Sequence, residues 1–212
     1  MPEKEFGGQM HDRKADEAPL ISLLVAGDRL AFEHIYRKHN NALIRLGASF
    51  VQSRAVAEEV AQDTWMAVLK NIGSFEGRSS LAGWIFAILI NKARSRAQRD
   101  GRMVSFDGDD EDDNLAAAFD RRGRWKDLPD LWDELTPERI LAGRSALEHV
   151  NVTIDALPAG QKSVLVLRAQ QGLDADEVCT ILGISEGNMR VLLHRARFAV
   201  RAALDRLNSK SV

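Results

Sequence analysis

A chain of 212 residues can hold one medium domain or two small helical ones, but not a large α/β enzyme with separate cofactor and substrate domains. Its composition is 45% hydrophobic, 28% charged and 6% aromatic with five prolines, which disfavours both disorder and an all-β sandwich and points to an all-α chain. With 29 Lys and Arg against 31 Asp and Glu the net charge is −2, so the chain does not hold nucleic acid by overall charge, and any DNA contact must come from local patches.

Residues 1–18 are polar and aperiodic and read as a loose arm. From Leu20 apolar residues recur at helical spacing, with Gly27-Asp28 marking a helix start and Asn40-Asn41 a break. A third helix is expected from the cap Ser53 to Ile72, a loop over 73–80, and a fourth helix from Leu81 to about Arg99 with Ser79 or Ser80 as its cap. Together these form a first domain over 19–100. An acidic linker follows over 101–136, too long for an ordinary connection, carrying Asp107, Asp109, Asp110, Glu111, Asp112 and Asp113. Helical pattern resumes at Pro137 and runs to Leu157, then over Val164–Arg168, Asp174–Leu182 and Glu186–Leu207, giving a second domain over 137–208.

The stretch from Asp174 to Arg190 reads as a helix-turn-helix: Gly183 supplies a left-handed turn, Ile184 plugs the corner and Ser185 caps the second helix. On that helix Met189, Leu192, Leu193, Ala196, Val200, Ala203 and Leu207 share a core face, while Arg190, His194, Arg197 and Arg201 line the other side. Gly187 and Asn188 stand at its start, where a recognition helix approaches base edges. A second basic patch comprises Lys92, Arg94, Arg96, Arg99 and Arg102, preceded by a loop whose Phe75, Arg78, Ser79 and Ser80 are residue types that hold a flipped nucleotide; Trp84 behind it suits either DNA or core. The third helix carries Glu59, Gln62, Asp63 and Met66 on the face opposite Val60, Thr64 and Val68, an acidic stripe that fits a protein partner with a basic surface.

No catalytic site, metal site or cofactor is expected: the five histidines form no metal-ligand spacing, and no phosphate-binding glycine loop or nucleophile elbow occurs. The single cysteine, Cys179, lies among Val178, Ile181 and Leu182 and reads as a buried apolar filler. The N-terminus lacks the apolar stretch of an export signal, and the longest apolar run, Trp84–Ile90, is far short of the about 20 residues that span a bilayer; a cytoplasmic protein without membrane insertion is expected.

The blocks Ala57-Glu-Glu-Val-Ala-Gln-Asp-Thr-Trp65, Phe75-Glu-Gly-Arg-Ser-Ser-Leu-Ala-Gly-Trp84, Ile90-Asn-Lys-Ala-Arg94 and Leu182-Gly-Ile-Ser-Glu-Gly-Asn188 through Arg197 resemble the extracytoplasmic-function sigma factors of bacterial RNA polymerase over residues 20–100 and 137–207. That resemblance implies a subunit that binds core polymerase and promoter DNA, with an anti-sigma factor as a further partner. It implies that Glu58, Glu59, Gln62, Asp63 and Met66 dock on the clamp of the largest polymerase subunit. Phe75, Arg78, Ser79, Ser80, Trp84, Asn91 and Arg94 would then handle the minus-ten element. Ser185, Glu186, Gly187, Asn188, Arg190, Val191, His194, Arg195, Arg197 and Arg201 would face the minus-thirty-five element, and the linker would thread toward the RNA exit channel. The chain departs from the family's common pattern at Ser95, where an acidic residue is frequent. Two other readings compete: a one-component helix-turn-helix regulator, and a helical adaptor that binds only protein.

Overall fold

The structure is a computed structural model that describes residues 17–101, 106 and 137–208; the arm before residue 17, Arg102 of the basic patch and the acidic run at 107–113 lie outside the described residues. Every regular element among the described residues is helical, in agreement with the all-α class. The helices sort into two compact units: Met1–Val104 together with Val166–Gly183, and Ser105–Leu165 together with Ile184–Val212.

In the first unit, α1 covers 17–25 and turns at Gly27, whose φ of +78° suits glycine. Asp28 caps α2 (Arg29–Gly47), its Oδ1 accepting from the Ala31 amide at 2.8 Å. The expected break at Asn40-Asn41 does not occur, since α2 continues through both. The side chain of Asn40 is used elsewhere: its Oδ1 accepts from the indole N–H of Trp65 at 3.0 Å. Ser53 caps α3 (Arg54–Asn71) by accepting from the Val56 amide at 3.3 Å. A single 3-10 turn over Ile72–Ser74 follows, then the loop to Ser80, which caps α4 (Leu81–Arg99) by accepting from the Gly83 amide at 3.0 Å.

Helices α2, α3 and α4 pack pairwise around Ile35, Leu43, Leu46, Phe50, Val68, Ile85, Phe86, Leu89 and Ile90, all essentially without solvent contact. Near one end Phe32 meets Trp65 edge-on at 5.6 Å, with Tyr36 5.4 Å from the same indole. The segment Val166–Gly183 completes this unit. It opens with a π-helical turn, Val166–Gln170, passes Gly172 at φ +67°, and forms α7 (Ala175–Leu182), which ends at Gly183 in the left-handed region at φ +66°. Leu167, Leu173, Val178 and Leu182 are buried here, whereas Cys179 is half-buried rather than the fully enclosed filler expected from its neighbours.

The second unit is built from α5 (Pro137–Ala156), α6 (Ala159–Leu165) and α8 (Glu186–Asn208). Its core includes Ile154, Leu157, Val164, Leu165, Met189, Leu192, Leu193, Ala196 and Ala203. Gly160 lets α6 approach α8 closely, since a Cβ there would lie 3.4 Å from the Leu192 methyls. The sequence pattern predicts one helix through Val164–Arg168; the structure instead ends α6 at Leu165 and widens the next turn to i→i+5 bonding, with the Gln171 amide on the Val166 carbonyl at 3.0 Å.

Candidate functional site

The third helix presents its two faces as the spacing requires. Val60, Thr64 and Val68 are buried, and Glu58, Glu59, Gln62, Asp63 and Met66 are exposed, Met66 at 64%. Burial of Thr64 is compatible with its hydroxyl because it donates to the Val60 carbonyl at 2.7 Å. An apolar Met66 standing in water beside Gln62 and Asp63 has no packing role in the described unit, and such a mixed surface suits a protein contact. Glu58 pairs with Arg54 at 3.0 Å along the helix, and Glu59 pairs with Arg96 of α4 at 3.5 Å.

The loop before α4 is positioned by the cap at Ser80 and by a turn at Gly77, whose φ is +66°. Phe75 is half-buried with its ring 5.2 Å from that of Trp84, so these two aromatics form one tilted pair rather than two separate candidates. Arg78 is exposed and pairs with Glu76 at 3.0 Å, while the Ser79 hydroxyl donates to the Ser80 carbonyl at 3.3 Å. Asn91 is exposed one helical stretch further on. The expected basic patch is less open than its sequence suggests. Arg96 is shared between Glu59 at 3.5 Å and Asp100 at 3.3 Å. Arg94 is half-buried and donates to the carbonyl of Leu182 at the end of α7. Burial lowers the pKa of Arg94 from its ordinary value, and a guanidinium remains charged there all the same.

Sequence reasoning missed what covers the start of α4. The Ser80 amide donates to Glu177 Oε1 of α7 at 2.7 Å, and the Leu81 amide donates to Glu17 Oε2 of α1 at 2.9 Å. Glu177 also closes a capping box on its own helix, its Oε2 accepting from the Asp174 amide at 3.4 Å. Only that local role is visible in the sequence, as an acid three residues after Asp174.

In α8 the cap is as expected, Ser185 Oγ accepting from the Asn188 amide at 3.2 Å. Arg190 is exposed and pairs with Glu186 one turn earlier; Gly187 and Val191 are exposed as well. His194, Arg195, Arg197 and Arg201 are half-buried, so of the basic row only Arg190 is exposed. Arg201 lies 3.8 Å from Asp205, and the Asn188 side-chain amide donates to the Phe106 carbonyl at 2.9 Å. Among the described residues no group of His, Cys, Asp and Glu is arranged to hold a metal ion, and no helix is long and apolar enough to cross a membrane.

Comparison with known proteins gives two family matches, sigma-70 region 2 over residues 35–103 and sigma-70 region 4 over residues 150–200. The chain is similar to the RNA polymerase sigma-H factor of Pseudomonas aeruginosa, 28% identical over 188 residues that cover 89% of this chain and 93% of the relative. It is similar also to the ECF RNA polymerase sigma factor SigM of Mycobacterium tuberculosis, 26% identical over 213 residues that cover 98% of this chain and 93% of the relative. Among solved structures it resembles the sigma factor RpoE in complex with the anti-sigma factor NepR from Bartonella quintana, with a TM-score of 0.50 and 22% identity over 82% of this chain and 96% of that one. At that identity the likeness speaks for the fold alone.

Proposed function

Because the chain belongs to the sigma-70 family, in its extracytoplasmic-function group, it is an RNA polymerase sigma factor, and we propose how its residues divide the work. The segment 19–100 docks on core polymerase and handles the minus-ten element; 137–208 reads the minus-thirty-five element; the linker 101–136 joins them along a path toward the RNA exit channel. The exposed stripe of Glu58, Glu59, Gln62, Asp63 and Met66 meets the polymerase clamp, because its acids attract a basic partner and its exposed methionine gains by burial.

At the minus-ten element, Phe75 and Trp84 offer a paired aromatic surface for a base leaving the duplex, with Arg78, Ser79 and Ser80 supplying polar groups for its edge. Asn91 and Arg94 lie on the following helix beside that DNA. In α8, Ser185 to Arg197 face the upstream element and Arg201 attracts phosphate. The protein works in the cytoplasm as a binding subunit without catalysis or cofactor, and an anti-sigma factor restrains it.

The observation that carries this reading is the presence of both family regions, in order, on one chain. Titration against core RNA polymerase tests it. A sigma factor binds core and directs initiation from a specific promoter in vitro. A one-component regulator footprints DNA without polymerase, and an adaptor does neither.

A further inference from the structure

The segment 166–183 is tied to the helices that carry the minus-ten loop by three polar contacts far apart in sequence. The Ser80 amide donates to Glu177 Oε1 at 2.7 Å, Arg94 donates to the Leu182 carbonyl, and buried His39 Nδ1 shares a hydrogen bond with Gln171 Oε1 at 2.6 Å. Gly83 is part of the fit: a Cβ there would sit 2.8 Å from Glu177 Oε1 and 3.3 Å from its Cδ. A missing side chain at this point of α4 therefore makes room for a carboxylate. Two of the residues read as minus-ten contacts, Ser80 and Arg94, thus each place one donor on α7, the Ser80 backbone amide and one Arg94 N–H, and the carboxylate that takes the Ser80 amide has the sign of charge of the DNA it would have to give way to.

We propose that α7 is a built-in stopper of the minus-ten loop: Glu177, seated against Ser80 and Gly83, holds the loop shut, and it must leave before the loop takes a DNA base. The proposal rests on the assignment of residues 74–80 to the minus-ten element. It has a direct structural consequence, because the same α7 begins the helix-turn-helix read as the upstream DNA module. Engagement of that module with polymerase or DNA would withdraw Glu177, so that access to the minus-ten loop is coupled to upstream engagement.

Two variants of the full chain open the latch from opposite sides. Glu177→Ala removes the carboxylate, and Gly83→Ala displaces it sterically while favouring α4. Their side effects differ, since the first weakens the α7 capping box and the second crowds the Ser80 hydroxyl at 3.0 Å, so agreement between them isolates the latch. Two quantities are measured: amide exchange at Ser80 by NMR, and anisotropy of a fluorescein-labelled pool of random-sequence single-stranded DNA. Both variants should speed Ser80 exchange and tighten DNA binding, each by about tenfold, the effect of losing one hydrogen bond to a charged group. Replacing Phe75 with Ala in either background should cancel the gain in DNA binding. Unchanged exchange at Ser80 overturns the latch. Faster exchange without tighter DNA binding also overturns the stopper, and the Phe75→Ala variant then separates the causes: a further loss of binding keeps the loop as the DNA site, whereas no loss removes that assignment as well.

Discussion

Glu59 of α3 and Arg96 of α4 form an ion pair at 3.5 Å, which sets one carboxylate of the exposed acidic stripe against a guanidinium of the neighbouring helix. Arg96 also reaches Asp100 at 3.3 Å, so reversing Glu59 leaves it one acid partner. Pairs this exposed contribute at most about 1 kcal/mol. The double variant Glu59→Lys/Asp63→Lys should therefore keep its helical circular dichroism and lose less than about 1 kcal/mol of stability. Its affinity for core polymerase should fall by at least about 2 kcal/mol through lost charge complementarity. Core affinity equal to that of the parent would remove this face from the interface.

The bond from Trp65 Nε1 to Asn40 Oδ1, 3.0 Å long, joins α3 to the middle of α2. Trp65 is 4% exposed, so the indole N–H has little access to water when its acceptor is lost. Asn40→Ala should lower unfolding free energy by about 1–3 kcal/mol, the cost of an unsatisfied buried donor, even though alanine is the better helix former. Chemical denaturation measures it. A neutral or stabilising change would mean that the indole finds another partner.

The same pair shows where sequence reasoning stops. Two adjacent asparagines at 40 and 41 carry the local signature of a break, yet α2 passes through them, with Asn40 bonded to a partner 25 residues away and buried residues on either side that the local signature does not reveal. Caps at Ser53 and Ser185 were legible because an N-cap acts on the amide three residues ahead, and the cap of α4 was narrowed to Ser79 or Ser80, of which the structure uses Ser80. The exposed stripe on α3 was legible because its period is that of the helix. By contrast, Glu177 on Ser80 spans 97 residues, and nothing local distinguishes that carboxylate from an ordinary member of a capping box. The partial burial of His194, Arg197 and Arg201 was hidden for a similar reason: a helical wheel ranks faces without saying what covers them.

His39 is buried beside Phe86, its ring 6.0 Å from the phenyl and edge-on to it. Desolvation pushes its pKa below the ordinary 6.5; the hydrogen bond with Gln171 opposes this, and the nearby charges of Lys38 and His34 add to the lowering. The folded chain therefore holds this imidazole neutral where the unfolded chain protonates it. Stability from that difference is present in full above pH 6.5 and is lost as the pH falls from there through the lowered folded value. Thermal unfolding between neutral and mildly acidic pH should show this loss, and His39→Gln, which cannot take up a proton, should flatten it. An acid limb of the same steepness in the variant would assign the effect to other groups.

Arg190 and Arg201 lie on one side of α8 but in different surroundings: the Arg190 side chain is 71% exposed beside Glu186, and that of Arg201 is 35% exposed, 3.8 Å from Asp205. An exposed guanidinium one turn into the helix can reach base edges, and its surface pair with Glu186 is weak enough to exchange for a bidentate contact to guanine. Arg201 lies three turns further along, where a helix in the major groove has moved away from the bases toward the backbone. Arg190→Ala in the polymerase holoenzyme should therefore cost about 1–3 kcal/mol at one or two positions of the upstream element and little at promoters already mismatched there. Arg201→Ala should weaken all promoters alike and reduce the salt slope by about 1. Affinities across single-base promoter variants, repeated over a salt series, distinguish the two. Equal and sequence-independent losses for both variants would show that Arg190 reads no base and, like Arg201, serves only to attract phosphate.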